Sequence, residues 1–324
     1  MVRPILVGAA IAAVLAGSGG TAAQQWPVKP VHLVVPFVPG GATDVLGRIY
    51  SDKLAQRFGQ PVVIENKPGA GGNVGATYVA RAPADGHVMF IASSPGFVNA
   101  AALSKDAGFD PLKDFVAVAM LATQPMLLNA HPSLAAGNIK ELVAYAKANP
   151  GKLSYGTPGI GTPHHLAMEL FKTVADIDVV HVPYRGGAPM TQDVVAGQVP
   201  LMFGSYVIAG PHLKAGRLKA LGNSAKKRMT QAPEIPAIAE QGYPDFDVES
   251  WFGLVAPSGT PAAAIERMTR EVHAVLGMDD VKDRLLKTGF DPPPLLATPA
   301  FAERLKVDVA KWSKVVVEAK IKPA

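Results

Sequence analysis

Cysteine is absent from all 324 residues, which removes disulfide frameworks, iron–sulfur clusters, thiolate zinc sites, cysteine nucleophiles and cysteine-linked lipid anchors together. Charge is sparse. Acidic and basic side chains make up 18% of the chain, 31 basic against 26 acidic, and the longest basic run is only Lys226-Lys227-Arg228. Scattered positive charge without interleaved aromatics excludes a stacking platform for nucleic acid. Aromatics are few, at 7%, but hydrophobic residues reach 48%. That is enough apolar surface to offset chain entropy, so the chain is globular, and its length suits two domains. Beyond the first 23 residues no stretch has the apolar length of a membrane span.

Those first residues have a character of their own. Arg3 supplies a positive start, Ile5 to Ala16 form an apolar run, Gly17-Ser18-Gly19-Gly20 breaks any helix, and Thr21-Ala22-Ala23 offers small residues to a signal peptidase. The run is too short for a permanent anchor. Residues 1–23 are therefore expected to be a cleaved signal peptide, cut near Ala23, and the mature chain to be soluble and exported.

From Val31 short apolar runs alternate with helical patterns. Val31 to Val35 reads as a strand, followed by a helix carrying Leu46, Ile49, Tyr50, Leu54 and Phe58 on one face and stopped by Gly59. Strands at Val62 to Ile64 and Val88 to Ala92, with a helix starting near Asn73, complete a βαβαβ unit, which implies a mostly parallel sheet. Met126 to Ala130 opens a second module of the same kind. Asn138 and Glu141 form a capping box there, and Thr162 caps a helix whose first residue is Pro163. A helix over Ala188 to Ala196 and strands at Leu153, Val179, Leu201 and Leu218 follow. The remainder, with a strand over Trp251 to Ala256 and helices over Pro261 to Leu276 and Phe301 to Ala319, is too small to stand alone. It is expected to return to the first module. The chain then crosses twice, near Leu121 to Pro125 and near Phe246 to Trp251, dividing into 24–123 plus 250–324 as domain 1 and 124–249 as domain 2. Two crossings make a hinge over a cleft.

Four strand-to-helix junctions are rich in small residues: Pro39-Gly40-Gly41-Ala42-Thr43, Gly69-Ala70-Gly71-Gly72-Asn73, Gly159-Ile160-Gly161-Thr162-Pro163-His164 and Arg185-Gly186-Gly187-Ala188. Ligands of such sheets bind at the carboxyl ends of strands, where helix starts turn unpaired N–H groups outward. Such a site wants an anion. Each helix start contributes about 0.3–1 kcal/mol toward a negative group and each charge-assisted hydrogen bond about 1.5–3 kcal/mol. Several starts together can thus hold a carboxylate without Lys or Arg.

Other chemistries lack their motifs. Val74 stands where a dinucleotide fingerprint needs its third glycine, and neither a P-loop nor a Gly-x-Ser-x-Gly elbow occurs. His164 and His165 are neighbours, so on a helix they diverge by about 100° and cannot chelate one metal. One of them can face the cleft as a donor. Asp44 reads as a carboxylate favoured by its helix dipole. Arg185 reads as a clamp at the cleft rim or an interdomain ion pair, and Phe37 as a cleft wall or a core residue.

Trp26-Pro27, Val34 to Asp44, Glu65 to Gly72, Ala82 to Gly86, Gly161 to His164, Val182 to Gly187 and Trp251 to Pro257, together and in this order, resemble the Bug family of periplasmic solute-binding proteins, which serve tripartite tricarboxylate transporters. The resemblance runs over essentially the whole mature chain. It implies an α/β two-domain periplasmic-binding-protein fold, a type II-like Venus flytrap that closes on a small carboxylate. Carried over position by position, it implies ligand contacts from Phe37, Gly40, Gly41, Ala42 and Thr43, from Ser93 and Ser94, from Gly161, Thr162, His164 and His165, from Arg185, Gly186, Gly187 and Ala188, and from Ser205. One departure is the segment Gln198 to Ser205, where Pro200 and Gly204 stand in place of acidic residues often found in the family. Their absence argues against an amino-acid ligand and for a plain mono- or dicarboxylate.

The expectation is therefore a non-catalytic, monomeric carrier with no cofactor and no metal, which delivers an organic carboxylate to membrane components of a tripartite tricarboxylate transporter. Two alternatives stay open at this point. One is an exported enzyme with His164 or His165 as general base, and the other is a sensor that presents the ligand to a receptor.

Overall fold

The computed structural model describes residues 26–94, 96–98 and 107–318; the expected signal peptide lies outside them. β1 (Val31–Val35), β2 (Val62–Asn66) and β3 (Val88–Ser93) form the first parallel unit, with α1 (Ala42–Phe58) and α2 (Asn73–Ala80) as its crossovers. α1 buries Leu46, Ile49, Tyr50 and Leu54, and Gly59 ends it in the left-handed conformation that glycine adopts freely. The second parallel unit contains β5 (Leu153–Thr157), β6 (Val179–Pro183) and β7 (Leu201–Ser205). Its helices are α3 (Ile139–Ala148), α4 (Pro163–Ala175), α5 (Gly187–Val195) and α6 (Tyr206–Lys214). Asn138 caps α3 through Glu141 N–H, as its capping box predicts.

Between these units lie two antiparallel strands, β4 (Phe115–Ala130) and β9 (Glu249–Pro257), so the strand order is β2-β1-β3-β9-β4-β7-β5-β6, with β8 (Lys219–Asn223) also on β4. The outer strands pair in parallel as expected; the antiparallel centre is the difference. The first crossing was expected to be a connection before a strand starting at Met126, but β4 runs through it unbroken. Its first part pairs with β9 and its last five residues with β7 and β8. The physical reason is a run of apolar residues buried on both faces over nearly the whole strand. Pro125, which has no N–H, occupies the end of the β9 ladder opposite Glu249, and Met126 opens the β7 ladder opposite Ser205. The missing donor falls where the partner changes.

The second crossing is stitched to the first by Ser224. Its N–H donates to Met126 O at 2.7 Å, its hydroxyl donates to Val248 O at 2.5 Å and accepts from Met126 N at 2.9 Å, and its carbonyl accepts from Val248 N at 2.7 Å. Beyond β9, α7 (Ala262–Leu276) and α8 (Asp279–Lys287) pack on α1; Met268, Val272, Leu285 and Phe290 join Ile49 and Tyr50 in one core. α9 (Thr298–Glu318) reaches further, packing on β4 and on α4 of the second unit. Trp251 anchors it: the indole meets Phe301 edge-on at 5.1 Å and donates to Asp308 Oδ2 at 2.6 Å.

Candidate functional site

A cavity of about 350 Å³ opens where the two units face each other across β4 and β9. One wall is the start of α1. Phe37, Gly41, Ala42 and Thr43 line it, and no side chain caps α1, so its first N–H groups are left for a ligand. The turn before α1 is braced by Asp44. Its carboxylate accepts from Gly40 N at 3.0 Å, from Arg48 Nε and Nη2 at 2.9 and 3.1 Å, and from Asn66 Nδ2 at 2.9 Å; Asn66 also donates to Phe37 O. Burial alone would raise the Asp44 carboxyl, but these donors outweigh it and hold the group at about 2. Gly40 thus spends its N–H on Asp44 and is not on the cavity wall.

The opposite wall is the start of α4. Thr162 caps it, accepting weakly from His165 N at 3.5 Å and donating to Gly159 O at 2.7 Å. Pro163, with no N–H, and His164 line the cavity. Burial pulls the His164 imidazole down to about 4, so it is neutral at pH 7, and its Nδ1 is buried with no partner among the described residues. His165 turns the other way. Its ring stacks on His181 at 4.0 Å, that pair stacks on Tyr155, and its Nδ1 accepts from Gly161 N at 3.1 Å. Of the two histidines, one faces the cavity and the other supports the loop beneath it.

Ser205 gives a third start. It is the first residue before α6, offers that helix no side-chain cap, and lies on the cavity wall. Ser93 and Ser94 complete the rim at the end of β3; the Ser94 hydroxyl accepts from Trp251 N at 3.1 Å. Gly161 and Thr162 stand behind His164 without lining the cavity. Arg185, Gly186, Gly187 and Ala188 are also absent from the wall: Gly186 N is bonded to Pro158 O, Gly187 packs toward Ile208 on α6, and Arg185 is exposed. No residue of the Gly69-to-Asn73 junction lines this cavity; Gly71, Gly72 and Asn73 border a separate small pocket that shares Ser93 with it.

The floor comes from residues outside the expected set, namely Gln124 and Met126 on β4 and Ser250 and Phe252 on β9. Gln124 and Ser250 are polar breaks in apolar strands beside the crossings, a signal that was present; Met126 and Phe252 look like ordinary core residues. Among the described residues no acidic or cationic side chain lines the cavity. Three helix starts, free hydroxyls and a neutral imidazole therefore surround a space with an apolar belt of Phe37, Met126 and Phe252. Such a space favours an anion by dipoles and N–H groups rather than by a counter-ion. Among the described residues no cluster of His, Asp and Glu is placed to hold a metal ion.

A sequence family described as the tripartite tricarboxylate transporter family receptor matches residues 46–320. The chain belongs to this family. BugT of Bordetella pertussis is 32% identical over 304 residues, covering 93% of this chain and 93% of BugT, which bears out the Bug resemblance. Among solved structures, a R. palustris protein with adipate is 36% identical with a TM-score of 0.77, over 93% of this chain and all of that one. MatC from Rhodopseudomonas palustris, with bound malate, is 34% identical with a TM-score of 0.73, over 90% of this chain and all of MatC. The two-domain α/β binding-protein fold is that of these relatives. No helix among the described residues is long and apolar enough to cross a membrane.

Proposed function

We propose that this receptor captures a small organic carboxylate between a domain formed by 24–123 plus 250–324 and a domain formed by 124–249, and hands it to the membrane components of a tripartite tricarboxylate-type transporter. The carrying observation is the convergence of the α1, α4 and α6 starts on a cavity that no charged side chain among the described residues lines. Adipate and malate in the two neighbours support a carboxylate for this chain as well. Thr43, Ser93, Ser205 and His164, with the Ala42 and Thr43 N–H groups, are the proposed ligand contacts. Residues 1–23 are the proposed export signal, and the mature chain acts as a periplasmic monomer without catalysis.

Calorimetric titration of the purified chain with mono- and dicarboxylic acids of two to eight carbons tests this, with NMR of the mixture after incubation. One equivalent of an unchanged acid per chain is expected. Conversion of the acid to product, lost in His164→Ala, would overturn the reading in favour of an enzyme.

A further inference from the structure

The loop that leads into α4 holds two glycines with positive φ, Gly159 at +151° and Gly161 at +73°, so its backbone alone does not fix where the chain enters the helix. Its first half is pinned by threonines. Gly159 O accepts from Thr162 Oγ1 at 2.7 Å and from Thr157 Oγ1 at 3.2 Å. Its second half is pinned by the helix itself: Gly161 N donates to His165 Nδ1 at 3.1 Å, a closer tie than the 3.5 Å from His165 N to the Thr162 hydroxyl. Pro163 has no N–H to add to this entry, and His164, next in the chain, stands on the cavity wall with it.

That bond also sets the state of the ring. An imidazole accepts only at an unprotonated nitrogen, so Nδ1 of His165 carries a lone pair and Nε2 carries the proton. The surroundings keep it so. His165 is buried, and its ring lies 4.0 Å from that of His181. Glu169, which would favour an imidazolium, already accepts from the Tyr155 hydroxyl and from Lys172. Burial above all, with Lys172 beside it, pulls the His165 imidazole below its ordinary value against the pull of Glu169. Resting on the carboxylate reading above, we infer that His165 is a positioning residue of the ligand site: from behind the cavity wall, its Nδ1 lone pair holds Gly161 and so sets His164 and the start of α4 against the acid group.

Two variants separate the acceptor from the ring. His165→Asn puts an amide oxygen near the place of Nδ1 and gives up the stacking on His181, whereas His165→Phe keeps an aromatic ring on His181 and has no acceptor. Calorimetry at pH 7 with mono- and dicarboxylic acids of two to eight carbons is read on the acid that the parent binds most tightly. His165→Phe should bind it about 10-fold more weakly, the worth of one hydrogen bond whose donor is left unpaired, and His165→Asn should recover to within about 3-fold of the parent. A Phe variant that binds as tightly as the Asn variant, or more tightly, would overturn the inference and leave His165 as a packing residue. A second measurement needs no variant. NMR of the isotope-labelled parent should show Nδ1 of His165 unprotonated and coupled through the hydrogen bond to the Gly161 amide nitrogen; a proton on Nδ1 would overturn the inference as well. Failure of every acid to bind the parent overturns the carboxylate reading itself, and the inference with it.

Discussion

Val207, in the first turn of α6, rests directly on Gly289, which follows α8. Gly289 has a φ of +85°, and a Cβ at that position would overlap Val207 Cγ2. Gly289 is also the residue whose carbonyl holds Gln124. One glycine thus ties the α6 wall to the cavity floor, and its lack of a side chain is what permits the approach. Gly289→Ala combines an overlap with a left-handed backbone, and about 2–4 kcal/mol of lost stability is expected. Val207→Ala in the same chain should recover the steric part and leave the backbone part of about 1 kcal/mol. Urea unfolding of the parent, both single variants and the double variant measures the coupling; additive losses would show that the two residues do not oppose one another.

The bracing of the α1 turn by Asp44 has a definite pH signature. The carboxyl titrates near 3.8 in an unfolded chain and at about 2 here. The native state therefore releases this proton more readily, and its contribution of about 2 kcal/mol is present in full above pH 4 and lost as pH falls through about 2. Asp44→Asn should remove most of it at pH 7. Because it also frees Gly40 and Phe37, it should weaken acid binding as well, which calorimetry on the variant reads directly.

His164 and His181 act in a higher window and with a different cause. Both imidazoles are pulled from 6.5 to about 4, chiefly by burial, with the His165 ring adding to the effect at His181. Between those values the unfolded chain binds more protons than the folded one, so stability falls as pH drops from about 6.5 toward 4. His164→Gln should flatten that slope in a series of thermal melts. An unchanged slope would contradict a buried neutral imidazole at 164.

Asp308 is a buried carboxylate with two donors, Trp251 Nε1 at 2.6 Å and Arg304 Nε at 2.9 Å. Asp308→Ala leaves an indole N–H and a guanidinium without that acceptor where α9 meets β9. A loss of about 2–4 kcal/mol is expected in urea unfolding. The ligand cavity does not include these groups, so the affinity of the folded variant for acids should stay within a few-fold.

Much of this architecture can be read along the chain. The starts of α1 and α4 were legible because local rules specify them, with Gly41 before an amphipathic run and Thr162-Pro163 as cap and first residue. α6 was not, because Gly210 and Pro211 interrupt the pattern that would reveal it. The division of labour between His164 and His165 depends on His181, which lies sixteen positions later and reaches His165 only through the pairing of β5 with β6. The floor is harder still. Gln124 and Ser250 meet because β4 and β9 run antiparallel across both units, a pairing of residues more than a hundred positions apart that no local pattern encodes.

The central claim is that helix starts, rather than a charged side chain, hold the acid group. The most direct measurement compares the affinity of the parent chain for its tightest carboxylic acid with that for the methyl ester of the same acid, by calorimetry at pH 7. The account predicts that the acid binds at one equivalent per chain and the ester at least about 100-fold more weakly, since it loses charge-assisted hydrogen bonds worth about 1.5–3 kcal/mol each. An ester that binds as tightly as the acid would contradict it.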